Sequence, residues 1–136
     1  MFRRGQLPRQ TSFFFAGLSG DQNPIHTDEE FAKTTFHGTR IAHGLLILSV
    51  VSGLTTRLGF TEKSILAFIG IKWKFVSPVK IADTISARIK ISNKKEIDDK
   101  SGLVIYELEV FNQRQETVQK GEWTILVAKT PPAKGG

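Results

Sequence analysis

The longest apolar stretch of the chain reads Gly44-Leu45-Leu46-Ile47-Leu48-Ser49-Val50-Val51-Ser52-Gly53-Leu54. Wound as a helix, this stretch places apolar side chains on nearly every face. A helix that is apolar all round is buried, and its small residues let other backbone approach closely. The stretch therefore predicts a buried main helix from about His43 to Leu58, with Gly59 as a candidate C-cap.

After this helix the spacing of the apolar residues changes to a period of two. Four segments, at 69–75, 85–91, 104–110 and 123–127, alternate apolar and polar residues, and turn-prone stretches separate them. Such alternation is typical of consecutive antiparallel strands with one face in water. A buried helix followed by these strands predicts an α+β fold in which an antiparallel sheet wraps around a central helix.

Length and composition set the outer limits of the prediction. A chain of 136 residues, 40% of them hydrophobic, predicts one domain over residues 1–130, and the last six residues, 131–136, are expected to be disordered. There is no cysteine, so disulfide and thiol chemistry are excluded. The N-terminus lacks the apolar core of a signal peptide, and the main apolar run is too short to span a bilayer. We therefore expect a cytoplasmic protein with no membrane partner.

The net charge of +6 favours anionic partners. The lysines are dispersed, however, and no nucleic-acid motif or platform of interleaved basic and aromatic residues stands out. We expect no nucleic-acid partner, because a small molecule that carries phosphate would use the same positive field.

Before the main helix, two shorter helices are predicted by capping residues. Residues Met1–Thr11 are basic and polar and predict a loose arm or a short edge element. Ser12 is a candidate N-cap for a short helix that the glycines at 17 and 20 would break. Thr27 is a candidate N-cap for a second helix, since three acidic residues follow it in the first turn.

Between these two helices lies the segment with the clearest chemistry, Gly20-Asp21-Gln22-Asn23-Pro24-Ile25-His26. Carboxylate and imidazole side chains are the groups that most often move protons near neutral pH. Pro24 restricts its own backbone and that of Asn23, which predicts that Asp21 and His26 are held on a bent, non-repetitive segment. Asp21 by itself is equally typical of a turn.

This segment, together with Phe31-Ala32 and Ala42-His43-Gly44, resembles the MaoC-like, R-specific enoyl-CoA hydratase family of hotdog-fold proteins. The family pattern reads Gly-Asp-x-Asn-Pro-(Leu/Ile)-His, then an aromatic-Ala pair, then Ala/Val-His-Gly. A weaker match continues through Pro78-Val79 and Asp83, although members often carry Gly-Asp where this chain has Ala82-Asp83. The resemblance implies a single hotdog domain with a weak first strand near the N-terminus. It also implies a homodimer or a higher even oligomer, with the sheets joined side by side.

The resemblance also implies an activity: hydration of trans-2-enoyl thioesters of CoA or acyl carrier protein (ACP) to R-3-hydroxyacyl thioesters, or the reverse dehydration. Asp21 and His26 would act as a catalytic pair on one water, with no cofactor. Which of the two gives which proton, the acyl-chain length, the choice between CoA and ACP and the direction all stay open. Two alternatives on the same fold are a non-catalytic acyl-thioester binding module and a thioesterase.

Further site residues follow from the same resemblance. The amide of Gly44 would polarise the thioester carbonyl, since helix N-termini favour negative charge. Asn23 would orient His26 or the water, or is only a turn residue. Ser52 would line the pocket, or is a buried serine that bonds its own helix.

A metal site is the remaining possibility for these polar side chains. Asp21, His26, His37 and His43 offer oxygen and nitrogen donors, but no pair among them has the spacing of metal ligands on a helix. We therefore predict no metal, and we interpret His43 as a helix cap or a pocket-wall residue.

Overall fold

The computed structural model describes residues 2–6, 9–57 and 64–129. Five strands and four helices are present in this part of the chain. They are β1 (Phe2–Gln6), α1 (Arg9–Ser19), α2 (Pro24–Thr27), α3 (Glu29–Ala32), α4 (Gly44–Thr56), β2 (Ile65–Phe75), β3 (Thr84–Glu96), β4 (Ser101–Phe111) and β5 (Thr117–Ala128). The strands form one sheet in the order β1-β3-β4-β5-β2, and every neighbouring pair is antiparallel.

The sheet wraps around α4, as the apolar pattern predicts. Ile47 and Val51 of the helix are fully buried against inward-facing residues of the strands, among them Ile85, Leu108 and Ile125. The opposite face of the sheet carries charged side chains that pair across strands, such as Arg88 with Glu109 at 2.8 Å. The predicted α+β architecture is confirmed, and burial of these apolar side chains is what drives it.

Close approach of β5 to β2 depends on a glycine. A Cβ added to Gly121 would clash with the carbonyl oxygen of Lys72 and would lie 2.7 Å from Cε3 of Trp73, the residue opposite it in the ladder. A glycine inside a strand often marks such a close approach. Here it lets the Trp73 indole lie over the neighbouring strand.

The main helix starts as predicted but is less completely buried than predicted. It runs from Gly44 to Thr56, with His43 as the residue before it, so the start is confirmed; Leu58, Gly59 and the tail 131–136 lie outside the described residues. It is not buried on every face, because the side chain of Leu45 is 59% exposed. The exposed strand β2 shares this apolar, uncovered character, which periodicity alone does not reveal.

The helices near the N-terminus were placed less accurately. The N-terminal segment, predicted as a loose arm or a short edge element, contains β1 at one edge of the sheet, so the edge-element alternative is confirmed. However, α1 already begins at Arg9, so Ser12 is a buried residue inside the helix and not its cap. The N-cap of α3 is Asp28 and not Thr27, because the Asp28 carboxylate accepts a hydrogen bond from the amide of Phe31. Capping residues in a row compete for one position, and tertiary packing decided between them.

Candidate active site

The segment that carries Asp21 is shaped by a chain of local hydrogen bonds. Gly20 ends α1 in a left-handed conformation, φ +78°. The Asp21 carboxylate then accepts a hydrogen bond from the amide of Asn23 at 3.2 Å, and the Asn23 side chain accepts one from the amide of Ile25 at 3.1 Å. Asn23 is thus the N-cap of α2 and Pro24 its first residue. The expectation of a non-repetitive segment is confirmed for Asp21 but was wrong for His26, which lies on α2 because proline suits the first turn of a helix.

His26 is held at the end of this one-turn helix by a contact with the chain ahead of α4. Its Nδ1 lies 2.8 Å from the carbonyl oxygen of Ile41. A carbonyl can only accept, so Nδ1 carries the proton in this bond and Nε2 is left with a free lone pair. The bond therefore orients the ring and fixes its tautomer, which makes Nε2 a proton acceptor.

His43 joins the same site from the other side. It is 2% exposed, its ring stacks on that of His26 with the centroids 3.9 Å apart, and its Nε2 lies 2.9 Å from the backbone carbonyl oxygen of Asp21. His43 occupies the N-cap position of α4, as predicted, but caps the helix through its backbone carbonyl and makes no capping bond with its side chain. Instead His43 ties the Asp21 backbone and the His26 ring to the start of the main helix.

Folding thus brings the two predicted catalytic side chains together. Donor atoms of Asp21, His26 and His43 all lie within 4.8 Å of one another. The Asp21 carboxylate is exposed and, within the described residues, bonds only to a nearby backbone amide, so it remains free to accept from a water. A carboxylate and an imidazole at this separation can hold one water between them.

The same three residues form a cluster of possible metal ligands that linear spacing did not predict. Two imidazoles that bind one ion converge on it with the edges of their rings, whereas His26 and His43 lie face to face, 26° from parallel. His37 is outside the cluster and packs on Phe36. That these residues bind no metal stays a prediction.

Gly44 is the first residue of α4, and its amide donates no hydrogen bond within the described part of the chain. A Cβ at this position would lie 2.9 Å from the ring of Phe75. Both residues line a cleft of about 440 Å³ whose walls are otherwise mostly apolar. An open amide at a helix N-terminus beside an apolar cleft suits a ligand with an oxygen next to a hydrocarbon chain.

Of the five predicted site residues, only Gly44 lines this cleft. Asp21 and His26 lie in the cluster with His43, and Asn23 and Ser52 are not part of the lining either. Ser52 is exposed, two turns further along α4, and is not part of the cleft lining. Its alternative interpretation as a buried serine was wrong, and it is Ser49 that bonds its own helix, through the carbonyl of Leu45 at 2.9 Å. The carbonyl oxygen of the Asn23 side chain is used as a cap. For both residues the role in the site stays a prediction.

A larger concavity, of about 860 Å³, lies over the outer face of the sheet. It contains none of the predicted site residues. Lysine, arginine and glutamate side chains that face each other across the strands line it, which is typical of a solvated sheet surface. The smaller cleft beside Gly44 is therefore the better candidate for a binding site.

Glu29 and Gln119 shape the site, and neither was predicted. Glu29 accepts a hydrogen bond from the Thr39 hydroxyl at 2.7 Å and pairs with Arg40 at 3.4 Å, which fixes the backbone just before Ile41. These contacts, the Thr39 bond first, lower the pKa of Glu29. Gln119 is buried on the inward face of β5. Gln119 and Trp123 are an even number of positions apart, so a two-residue period places both on the inward face. The predicted strand, 123–127, began too late to include Gln119.

The comparisons with known proteins agree with this architecture. The MaoC-like domain family matches residues 4–112, most of the chain, and the chain belongs to this family. A solved monoamine oxidase regulatory protein from Archaeoglobus fulgidus has a TM-score of 0.88 at 41% identity, over 95% of this chain and 87% of that one. The (R)-hydratase of Aeromonas caviae has a TM-score of 0.81 at 29% identity, over 92% and 91%. The predicted hotdog fold is confirmed.

Curated relatives match over a shorter stretch. An (R)-specific enoyl-CoA hydratase of Rhodospirillum rubrum is 41% identical over 81 residues, which cover 59% of this chain and 54% of the relative. The corresponding enzyme of Aeromonas caviae is 37% identical over 82 residues, 60% of each protein. The match thus spans little more than half the length of these relatives. No helix among the described residues is long and apolar enough to cross a membrane.

Proposed function

We propose that this protein hydrates trans-2-enoyl thioesters of CoA or ACP to R-3-hydroxyacyl thioesters, and catalyses the reverse dehydration. The observation that carries the proposal is the pairing of the exposed Asp21 carboxylate with the free Nε2 of His26, beside the open amide of Gly44. The names of the relatives from Rhodospirillum and Aeromonas support the same reaction class. The mostly apolar cleft suits an acyl chain.

The chemistry follows from which atoms are free. A water held between Asp21 and His26 attacks the β-carbon of the enoyl group, and Nε2 of His26 takes one of its protons. The electron pair of the double bond moves to the carbonyl, where the amide of Gly44 stabilises the enolate oxygen. The imidazolium then returns a proton to the α-carbon. One group both takes and gives the proton, so water adds to a single face of the double bond.

The test is the hydration of crotonyl-CoA, followed by loss of the conjugated enoyl absorbance, over a panel of chain lengths. We expect His26→Ala to lower kcat by at least ~100-fold, the low end for a positioned acid or base. We expect a loss of at least ~100-fold in Asp21→Asn as well, because the attacking water loses the carboxylate that orients it. The asparagine still offers an oxygen to the amide of Asn23, so the local fold is kept. Because the pair acts as a unit, the double variant should lose far less than the product of the two losses.

Other outcomes of the same assay distinguish the alternatives. Near-normal turnover in either single variant would contradict the proposed mechanism. Release of free thiol without hydration would identify a thioesterase. Binding of the thioester without either reaction would identify a non-catalytic binding module, because the same fold serves both purposes.

We further propose that the protein works as a homodimer or a higher even oligomer. Large apolar side chains of strand β2 are exposed, among them Phe68, Ile69 and Ile71. In the described part of the chain β2 pairs only with β5, so its other edge is open. An open apolar edge strand is a template for pairing with a second copy of the chain.

A further inference from the structure

We infer that Gln119 is a positioning residue for the amide of Gly44, and that Trp73 holds Gln119 in place. The inference rests on the proposed function only in what it says about turnover. The contacts are direct: Nε2 of Gln119 donates to the carbonyl oxygen of Gly44 at 3.1 Å, and Nε1 of Trp73 donates to Oε1 of Gln119 at 2.8 Å. Together they form a relay from β2 through β5 to the start of α4.

The contact from Trp73, the first in the relay, fixes the orientation of the Gln119 side-chain amide. An indole N–H can only donate, so the group that faces it must be the oxygen of the Gln119 side chain. The NH₂ end is then directed at Gly44 and can only donate to the carbonyl there. Gln119 is 2% exposed in a mostly apolar cleft, and a buried amide in such a place is stable only when both ends are bonded.

The second contact, from Gln119 to the carbonyl of Gly44, compensates for the backbone freedom of a glycine. Position 44 must be glycine in this packing, because a Cβ would lie 2.9 Å from the Phe75 ring. Glycine, however, leaves its backbone torsions less restrained than any other residue does. A hydrogen bond to the Gly44 carbonyl restrains those torsions and with them the direction of the N–H. The relay thus pre-organises a donor that is needed only when negative charge develops on the ligand.

The test compares three variants. Gln119→Met keeps the length of the side chain and removes both bonds. Trp73→Phe removes the N–H that orients the amide, together with part of the indole ring, and leaves Gln119 in place. Gln113→Met is the matched control, since Gln113 is also a bridging glutamine but contacts Asp83 and Thr84, on the turn before β3. If Gln119→Met fails to fold, the same measurements are made on Trp73→Phe.

The first measurement needs no substrate. The order parameter of the Gly44 amide, from ¹⁵N relaxation of the free protein, should be typical of rigid backbone in the wild type and in Gln113→Met. It should fall in Gln119→Met, and less so in Trp73→Phe. An unchanged order parameter and amide shift in Gln119→Met would overturn the inference, whether or not the protein is a hydratase.

The second measurement is the hydration of crotonyl-CoA. We expect Gln119→Met to lower kcat by at least ~10-fold with little change in KM, since misplacing a group by about 1 Å can cost ~100-fold. If Gln119 had a purely structural role, Gln119→Met would lower the melting temperature but leave kcat unchanged at temperatures well below that melting temperature. This is the result that we expect for Gln113→Met. A lower order parameter of the Gly44 amide together with an unchanged kcat would overturn the part of the inference that concerns turnover.

The third measurement separates failure of the inference from failure of the proposed function. The carbonyl stretch of bound crotonyl-CoA, labelled with ¹³C at C1, can be recorded in the Asp21→Asn background, where the ligand is not consumed. A downshift from the free ligand reports polarisation by Gly44, and adding Gln119→Met should remove at least half of it. The same downshift in both proteins overturns the inference. Absence of hydration by the wild type, with the effect on Gly44 present, refutes the proposed function alone.

Discussion

Ala82 adopts a left-handed backbone conformation, with φ +73°, in the turn between Lys80 and Asp83. The Asp83 carboxylate holds this turn by accepting from the amide of Lys80 at 2.9 Å and from the side chain of Gln113 at 2.8 Å. A residue with a Cβ is strained in this conformation, whereas glycine is not. The departure from the family pattern at 82 therefore falls on a turn and not on the cleft beside Gly44.

We expect Ala82→Gly to stabilise the protein by about 0.5–1 kcal/mol, the relief of strain less the added freedom of the unfolded chain. Urea unfolding measures the change. Gln115→Gly, at a second left-handed position with φ +63°, should act in the same direction. A lower unfolding free energy in both variants would show that these turns do not carry strain.

Gly44 is a residue whose missing side chain matters for the proposed activity. We expect Gly44→Ala to lower kcat for crotonyl-CoA by at least ~10-fold, because its Cβ crowds the oxygen that the amide would bind. The Cβ also meets the Phe75 ring at 2.9 Å, so a second variant, Gly44→Ala with Phe75→Ala, removes that collision. Recovery of kcat in the double variant would assign the defect to Phe75 and not to the carbonyl site.

At the scale of the elements, the site depends on how α3 is tied to the segment before α4. Glu29, the first residue of α3, bonds both Thr39 and Arg40. The next residue, Ile41, accepts the hydrogen bond that orients His26. A carboxylate on a four-residue helix thus fixes a backbone carbonyl of the site.

The lowered pKa of Glu29 predicts how stability depends on pH. Its folded-state pKa lies below the usual value of 4.5, so the unfolded chain takes up the proton first. The stabilisation is therefore complete above that value and is lost as pH falls through the folded-state pKa. Urea unfolding between about pH 7 and pH 3 should show a shallower acid-side loss of stability in Glu29→Gln than in the wild type.

Glu30→Gln is the matched control for this experiment. Glu30 follows on the same helix and, in the described part of the chain, pairs only with the exposed Lys33, at 3.2 Å. An exposed pair of this kind contributes little. Parallel pH profiles for the wild type and Glu29→Gln would mean that the contacts with Thr39 and Arg40 do not survive in solution.

At the scale of the whole molecule, one edge of the sheet is apolar and uncovered. Ile69 and Ile71 of β2 are exposed, and so is Leu45 at the start of the main helix. Contiguous exposed apolar surface on a small domain marks an interaction site. The whole fold therefore has one edge that is suited to a second copy.

We expect light scattering at micromolar concentration to give the mass of a dimer or a higher even oligomer. Ile69→Lys should shift the protein toward the monomer, because a charge in the paired edge must be desolvated. Ile91→Lys, on an isoleucine of β3 that is also exposed, is the control and should leave the mass unchanged. A monomeric wild type with full activity would refute the proposed oligomer.

Local patterns determined the elements of this protein. The long apolar run located α4, whose start at Gly44 is one residue from the prediction, and the two-residue period located four of the five strands. The short spacing of Asp21 and His26 identified the pair that the fold brings together. These features depend on residues near one another in the chain, where backbone geometry and side-chain hydrogen bonds act directly.

The tertiary structure alone decided which distant residues complete the site. His43 reaches the carbonyl of Asp21 across 22 positions, and Gln119 reaches Gly44 across 75. Such contacts depend on strand order, register and packing, which no local period encodes. The same holds for exposure: Leu45 and Ile69 have the composition of core residues, and only the finished fold shows that nothing in this chain's described residues covers them.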